Sequence, residues 1–85
     1  MTGQILDDVR RIVTDTLQLG SRGAQLTVDS PLLGALPELD SQAVVSLIVA
    51  LEKHFGFAIA EDELSAATFS TLGQLAAFIT AQGRL

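Results

Sequence analysis

The run PELDSQAV, residues 37–44, sets an acid and a hydroxyl side by side at the start of a long apolar stretch, with His54 at its far end. Asp40, Ser41 and His54 are the residue types of a hydrolase triad. On one continuous helix, however, Ser41 and His54 lie about 20 Å apart, whereas a nucleophile and its base must approach to about 3 Å. The chain has a single histidine and no G-x-S-x-G elbow to present a serine. The spacing therefore argues against catalysis. His54 reads as a solvated helix-end residue, favoured by the C-terminal dipole when charged. Glu61, Asp62 and Glu63 could collect a hard cation, but no EF-hand spacing surrounds them, and three acids also suit the positive end of a short helix. No metal site is expected.

A hydroxyl with no base nearby makes sense as an attachment point for chemistry supplied by another enzyme. A phosphate on Ser41 would meet the free N–H groups and positive dipole of a helix N-terminus. Asp40 would oppose that charge, yet its side chain can cap the helix, and its carboxylate can help place a metal cofactor of the modifying enzyme. The ordinary alternative is a plain Asp-Ser helix start, and on the dipeptide alone that alternative is the better one.

The elements that must position these residues are helical. In 85 residues there is room for one domain, 1–85, burying about 60–65% of its unfolded surface. With no cysteine and 48% hydrophobic residues, the core itself must hold the fold. Four Phe with no Tyr or Trp, against many aliphatics and alanines, favour a helix bundle over a sheet. A first helix is expected from Thr2 to Gln18, with Ile5, Leu6, Val9, Ile12, Val13 and Leu17 on its apolar face, Asp7, Asp8, Arg10, Arg11 and Asp15 facing water, and Gly20 as a stop. A long connection, residues 19–40, follows. Leu26, Val28, Leu32, Leu33 and Leu36 should pin it down, and Asp29-Ser30-Pro31 should open a turn. The second helix is expected from an Asp40 cap to Phe55 before Gly56, with Val44, Leu47, Ile48, Leu51 and Phe55 in the core. EDELSAA should make about two turns, and TLGQLAAFITAQ a last helix ended by Gly83.

Net charge is −5, from ten acids and five bases, which argues against nucleic acid and suits a partner with a positive patch. The start MTGQILDDVRR places acids where a secretory signal would be basic, and no apolar run reaches the roughly 20 residues of a membrane span. A cytoplasmic setting is the expectation.

From Asp40 onward, DSQAVVSLIVALEKHFGFAIAEDELSAATFSTLGQLAAFI resembles the acyl carrier protein family. The resemblance rests on the Asp-Ser pair, the ALE-x-x-F stretch at Ala50 to Phe55, the I-x-x-x-E/D segment from Ile59 and the closing T-L-G-Q-L-A-A-F-I. D-S-P-L-L-G in the long connection and the amphipathic first helix extend it over nearly the whole chain. It implies an all-α, antiparallel four-helix bundle with a long loop between the first two helices and a short third helix. It further implies 4′-phosphopantetheine, drawn from coenzyme A, on Ser41, with Asp40 as the motif acid before it. Cargo would ride as a thioester on the arm, whose thiol would be the protein's only one, and a growing chain could fold back between helices. The implied partners are a phosphopantetheinyl transferase and enzymes that load, modify and transfer acyl groups. The protein would be a monomer, would catalyse nothing itself, and would serve a lipid, polyketide or specialised pathway.

Two departures mark the sequence. Gln42 stands where the family usually has leucine, and Ala43 to Val49 carry no charge where the family presents acids to basic partners; Lys53 adds a positive one. Charge complementarity governs encounter and selectivity, so a different partner set is expected. Gln42, Val45 and Val49 are the candidate docking surface, the alternative being valines buried against the long loop. The run ALPELDSQAVVSLI is also similar to carriers of exopolysaccharide or exosortase systems. A peptidyl or aminoacyl carrier shares the fold and the serine, but its common Gly-Gly before the modified serine is missing here. An unmodified helical interaction module is the more distant reading, and it expects Ser41→Ala to leave function intact.

Overall fold

The chain folds into helices joined by well-packed irregular segments, as seen in a computed structural model that describes residues 2–59, 62 and 64–82. In chain order the α-helices are α1 (Thr2–Leu17), α2 (Ser21–Ala24), α3 (Ser41–Phe55) and α4 (Leu72–Gln82), with a 3-10 turn at Ala66–Phe69 before the last. Among the described residues the backbone makes no strand, only an isolated antiparallel bridge between Pro31 and Thr71. The architecture is the expected all-α bundle. Helix α1 packs against both α3 and α4, and Val9, Val13, Leu47, Leu51, Leu72, Leu75 and Ile79 are almost wholly buried between them.

Helix α1 ends one residue earlier than its sequence suggests. Gln18, not Gly20, takes the first left-handed position, at φ 55. The Leu19 N–H donates to the Thr14 carbonyl at 2.9 Å and the Gln18 N–H to that of Asp15 at 3.3 Å, the paired bonds of a Schellman stop. Burial of Leu19 supplies the apolar contact that accompanies it. Asp8 and Arg10, expected in water, are half-covered: Arg10 pairs with Asp7 at 3.2 Å and Asp8 with His54 at 3.6 Å.

The long connection is anchored, though not by every apolar residue in it. Leu32 and Leu39 are buried and Leu26 and Leu36 half-buried, while Val28 and Leu33 are 50% and 41% exposed. Its one helical segment is α2. Gly23 lets that turn lie on α1, since a Cβ there would collide with the Thr14 side chain. A simple turn spans residues 27–30, with the Ser30 N–H donating to the Thr27 carbonyl at 3.0 Å and the Thr27 N–H to Ser30 Oγ at 2.8 Å. The connection also feeds the start of α4. Leu72 and Gly73 N–H groups donate to the Ser30 and Val28 carbonyls at 3.0 and 2.9 Å, and the Gln74 N–H to Thr71 Oγ1 at 3.0 Å. Orphan donors of a helix N-terminus are thereby satisfied by the loop. A Cβ at Gly73 would sit 2.7 Å from the Val28 carbonyl oxygen, so the close approach requires glycine.

Of the short third helix expected in EDELSAA, Asp62 is in 3-10 conformation. Glu61 and Glu63 lie outside the described residues, as does Gly83. A further 3-10 turn spans Ala66–Phe69, where the Ser65 N–H donates to Thr68 Oγ1 at 3.3 Å. Such local side-chain bonds favour a tight turn over a regular α-helix.

Candidate functional site

Asp40 is extended, with φ −101 and ψ −175, and caps α3: its Oδ1 accepts the Ala43 N–H at 2.8 Å while its carbonyl accepts the Val44 N–H at 2.9 Å. Asp40 serves here because a short acceptor just outside the first turn can satisfy a donor with no helical partner. Ser41 is then the first residue of the helix, and it is exposed. Its hydroxyl has no hydrogen-bond partner among the described residues. The approach to this corner is held by buried Leu39 and by an ion pair from Arg22 on α2 to Glu38. That guanidinium, bonded to the Glu38 carboxylate, holds its pKa below the ordinary 4.5.

His54 lies at the other end of the same helix, against α1. Ser41 and His54 are not brought together. The ring meets Phe55 edge-on with centroids 4.7 Å apart, and the side chain is 44% exposed, as a helix-end residue should be. Among the described residues no three His, Cys, Asp or Glu are grouped to hold a metal ion. Nor is any described helix long and apolar enough to cross a membrane.

Down α3 from Ser41 runs an apolar groove of about 310 Å³, lined by Val44, Val45, Ile48, Val49, Glu52, Ile59 and Leu64. It begins within one helical turn of Ser41, since residues three and four apart share a face. Val45 and Val49 are 61% and 42% exposed, and Gln42 and Ser46 beside them are exposed too. The valines are therefore not buried against the long loop. The resemblance implied room for a chain between helices, but sequence reasoning did not say which residues line it. Its α3 side was legible as apolar spacing, but its other wall comes from Ile59 and Leu64, across the turn at Gly56. Ile59 stood within a recognised segment, with no local signal of what it would face.

The donor set at Ser41 fits an anionic group: an exposed, unengaged hydroxyl, on a helix whose first turn contains no acid, beside a groove able to take apolar material. A helical bundle that presents an exposed serine at a helix start, beside a groove and with no base against it among the described residues, suits a carrier of a covalently attached group. Residues 7–79 match the phosphopantetheine attachment site family. The chain is also similar to the solution structure of a holo acyl carrier protein from Nitrosomonas europaea, at 54% identity and a TM-score of 0.87, over 92% of this chain and 94% of that one. No curated protein matches. The chain belongs to the acyl carrier protein family. It is a carrier and not an enzyme, and its cofactor is covalent 4′-phosphopantetheine. Carriers of this family are served by phosphopantetheinyl transferases and acyl-handling enzymes.

Proposed function

We propose that residues 1–85 form one carrier domain in which Ser41 receives the phosphopantetheine and the groove beside it shelters an apolar acyl cargo. The observation that carries this reading is the exposed, unengaged Ser41 at the first position of α3, one turn from the groove. In the loading reaction Ser41 Oγ attacks the β-phosphorus of coenzyme A, the bond to the bridging oxygen breaks, and adenosine 3′,5′-bisphosphate leaves. The serine proton passes to a base of the transferase. Asp40 Oδ1 holds the helix start in place while its other oxygen is available to the transferase's magnesium. When attached, the group supplies the thiol on which an acyl chain is carried as a thioester.

The partner set is a specialised one, working in the cytoplasm on a monomeric carrier. Gln42, Val45 and Val49 make an uncharged, partly apolar face beside Ser41, suited to a partner with an apolar hollow rather than a strongly basic patch. Interfaces concentrate their energy in such desolvated apolar contacts, and charges mainly speed encounter. The specialised pathway is supported by this uncharged face and by the similarity of ALPELDSQAVVSLI to carriers of exopolysaccharide or exosortase systems.

Intact-protein mass spectrometry tests the attachment. Wild type and Ser41→Ala are incubated with a broad-specificity phosphopantetheinyl transferase, coenzyme A and magnesium. One phosphopantetheine adduct on wild type alone is expected. An adduct on both proteins, or on neither while both are folded, would overturn the assignment. Loading the holo form with acyl coenzyme A thioesters or with adenylated amino acids then separates an acyl carrier from an aminoacyl one.

A further inference from the structure

Among the described residues, Glu52 is the one ionisable side chain lining the groove. Its carboxylate is committed: Oε2 accepts the Ile59 backbone N–H at 2.7 Å. Its own carbonyl accepts the Gly56 N–H at 2.8 Å. A single residue thus closes α3 through its main chain and, through its side chain, ties down the segment that returns after the turn. Gly56 makes that turn at φ 79, a conformation that favours glycine. Ile59 is 6% exposed and, with Leu64, forms the wall facing α3. An N–H bonded to a carboxylate at this length is charge-assisted and about twice as strong as a neutral pair. Glu52 is also the first acid on α3 after the Ser41 end, yet it is half-buried and turned to its own chain rather than offered to a partner.

We infer that Glu52 is a positioning residue for the cargo groove: its carboxylate latches the Ile59 wall onto α3 and thereby sets the length of apolar acyl chain the groove shelters. The inference rests on the cargo reading proposed above and deepens it by naming the substrate class. At about 310 Å³ the groove is near the lower end of small-molecule sites, roughly 300–1,000 Å³, so it suits chains of short to medium length. A wall held by one side-chain bond yields when that bond is lost. The chain is then held more loosely and its thioester is reached more easily by nucleophiles in solution.

The test uses holo wild type, Glu52→Gln, Glu52→Asp and Glu52→Ala, each first shown by mass to carry the arm. All are loaded with acetyl, hexanoyl, octanoyl and hexadecanoyl groups. Amide exchange at Ile59 reads the latch, methyl shifts of Ile48, Ile59 and Leu64 read occupancy, and cleavage by hydroxylamine reads shelter. In Glu52→Ala the Ile59 amide should exchange on the order of tenfold faster, and the octanoyl thioester should be cleaved up to about tenfold faster. Glu52→Gln, whose amide oxygen can accept the same N–H, should stay near wild type. Glu52→Asp, one methylene too short, should follow Ala and supplies the comparison if Ala fails to fold. Faster exchange at Ile59 with unchanged shelter of every chain would make Glu52 a helix closure only and overturn the latch, leaving the groove reading intact. An unchanged Ile59 amide would overturn it as well. Octanoyl that moves no groove methyl in wild type would instead overturn the groove reading and the latch with it.

Discussion

At the scale of single residues, the corner that presents Ser41 depends on Asp40. The carboxylate caps α3 through the Ala43 N–H, and an N-cap replaced by alanine typically costs about 1 kcal/mol. Asp40→Ala should lower stability by about that amount in urea unfolding, and Asp40→Asn, which keeps an acceptor, by much less. If the transferase also uses this carboxylate for its metal, Asp40→Asn should slow loading while leaving stability nearly intact, so the two roles separate. Val49 poses the opposite test. It is 42% exposed, and surface substitutions generally stay within about 0.5 kcal/mol. Val49→Glu should fold with near wild-type stability and accept phosphopantetheine, yet turn over poorly with its acyl-handling partners. Unchanged turnover would remove Val49 from the docking face. The Asp-Ser pair and the α3 spacing were legible at this scale because both are local. The exposure of the valines was not, since the pattern that places them off the core face does not say whether a loop covers that face.

At the scale of elements, boundaries were legible where a side chain or a glycine enforces them and obscure where the backbone alone does. Asp40 and Gly56 bracket α3 as expected. Gln18 ends α1 without any residue signal, because the left-handed position that glycine favours is filled by an ordinary L-residue. That conformation costs an L-residue about 1–2 kcal/mol, and glycine returns about 0.5–1 kcal/mol of that in unfolded-chain entropy. With its side chain exposed, Gln18→Gly should gain about 0.5–1 kcal/mol and raise Tm by a few degrees. The connection between α1 and α3 carries a second test. Arg22 lowers the pKa of Glu38 below its ordinary 4.5, so the pair favours the folded state above that pH and ceases to do so as the pH falls through the lowered value. Arg22→Gln should therefore raise the Glu38 titration midpoint followed by NMR. Its stability deficit relative to wild type should shrink in acid and in high salt, which screens exposed pairs.

At the scale of the whole molecule, the connection, α3 and α4 form one mechanical unit around α1. Carbonyls of the connection close the N-terminus of α4, α2 lies on α1 at Gly23, and the groove opens between α3 and the returning segment. These contacts join positions distant in sequence, which is why composition and periodicity disclosed helices and core but no groove. A small fold without cysteine has little stability in reserve, so a groove lined by apolar side chains is surface it would gain by covering. A cargo tethered at Ser41 does so without the loss of translational freedom that a free ligand suffers, because tethering makes the contact intramolecular. Each methylene moved out of water is worth at most about 0.8 kcal/mol. Partial shelter of an octanoyl chain should therefore add about 1 kcal/mol net, or roughly 4–8 °C in Tm for a domain of this size. An acetyl group, too short to enter, should add nothing. Thermal unfolding of the holo, acetyl and octanoyl forms in one buffer decides the matter: a rise confined to octanoyl locates the chain in the groove, and equal midpoints would mean that the cargo stays in solvent and the groove serves another purpose.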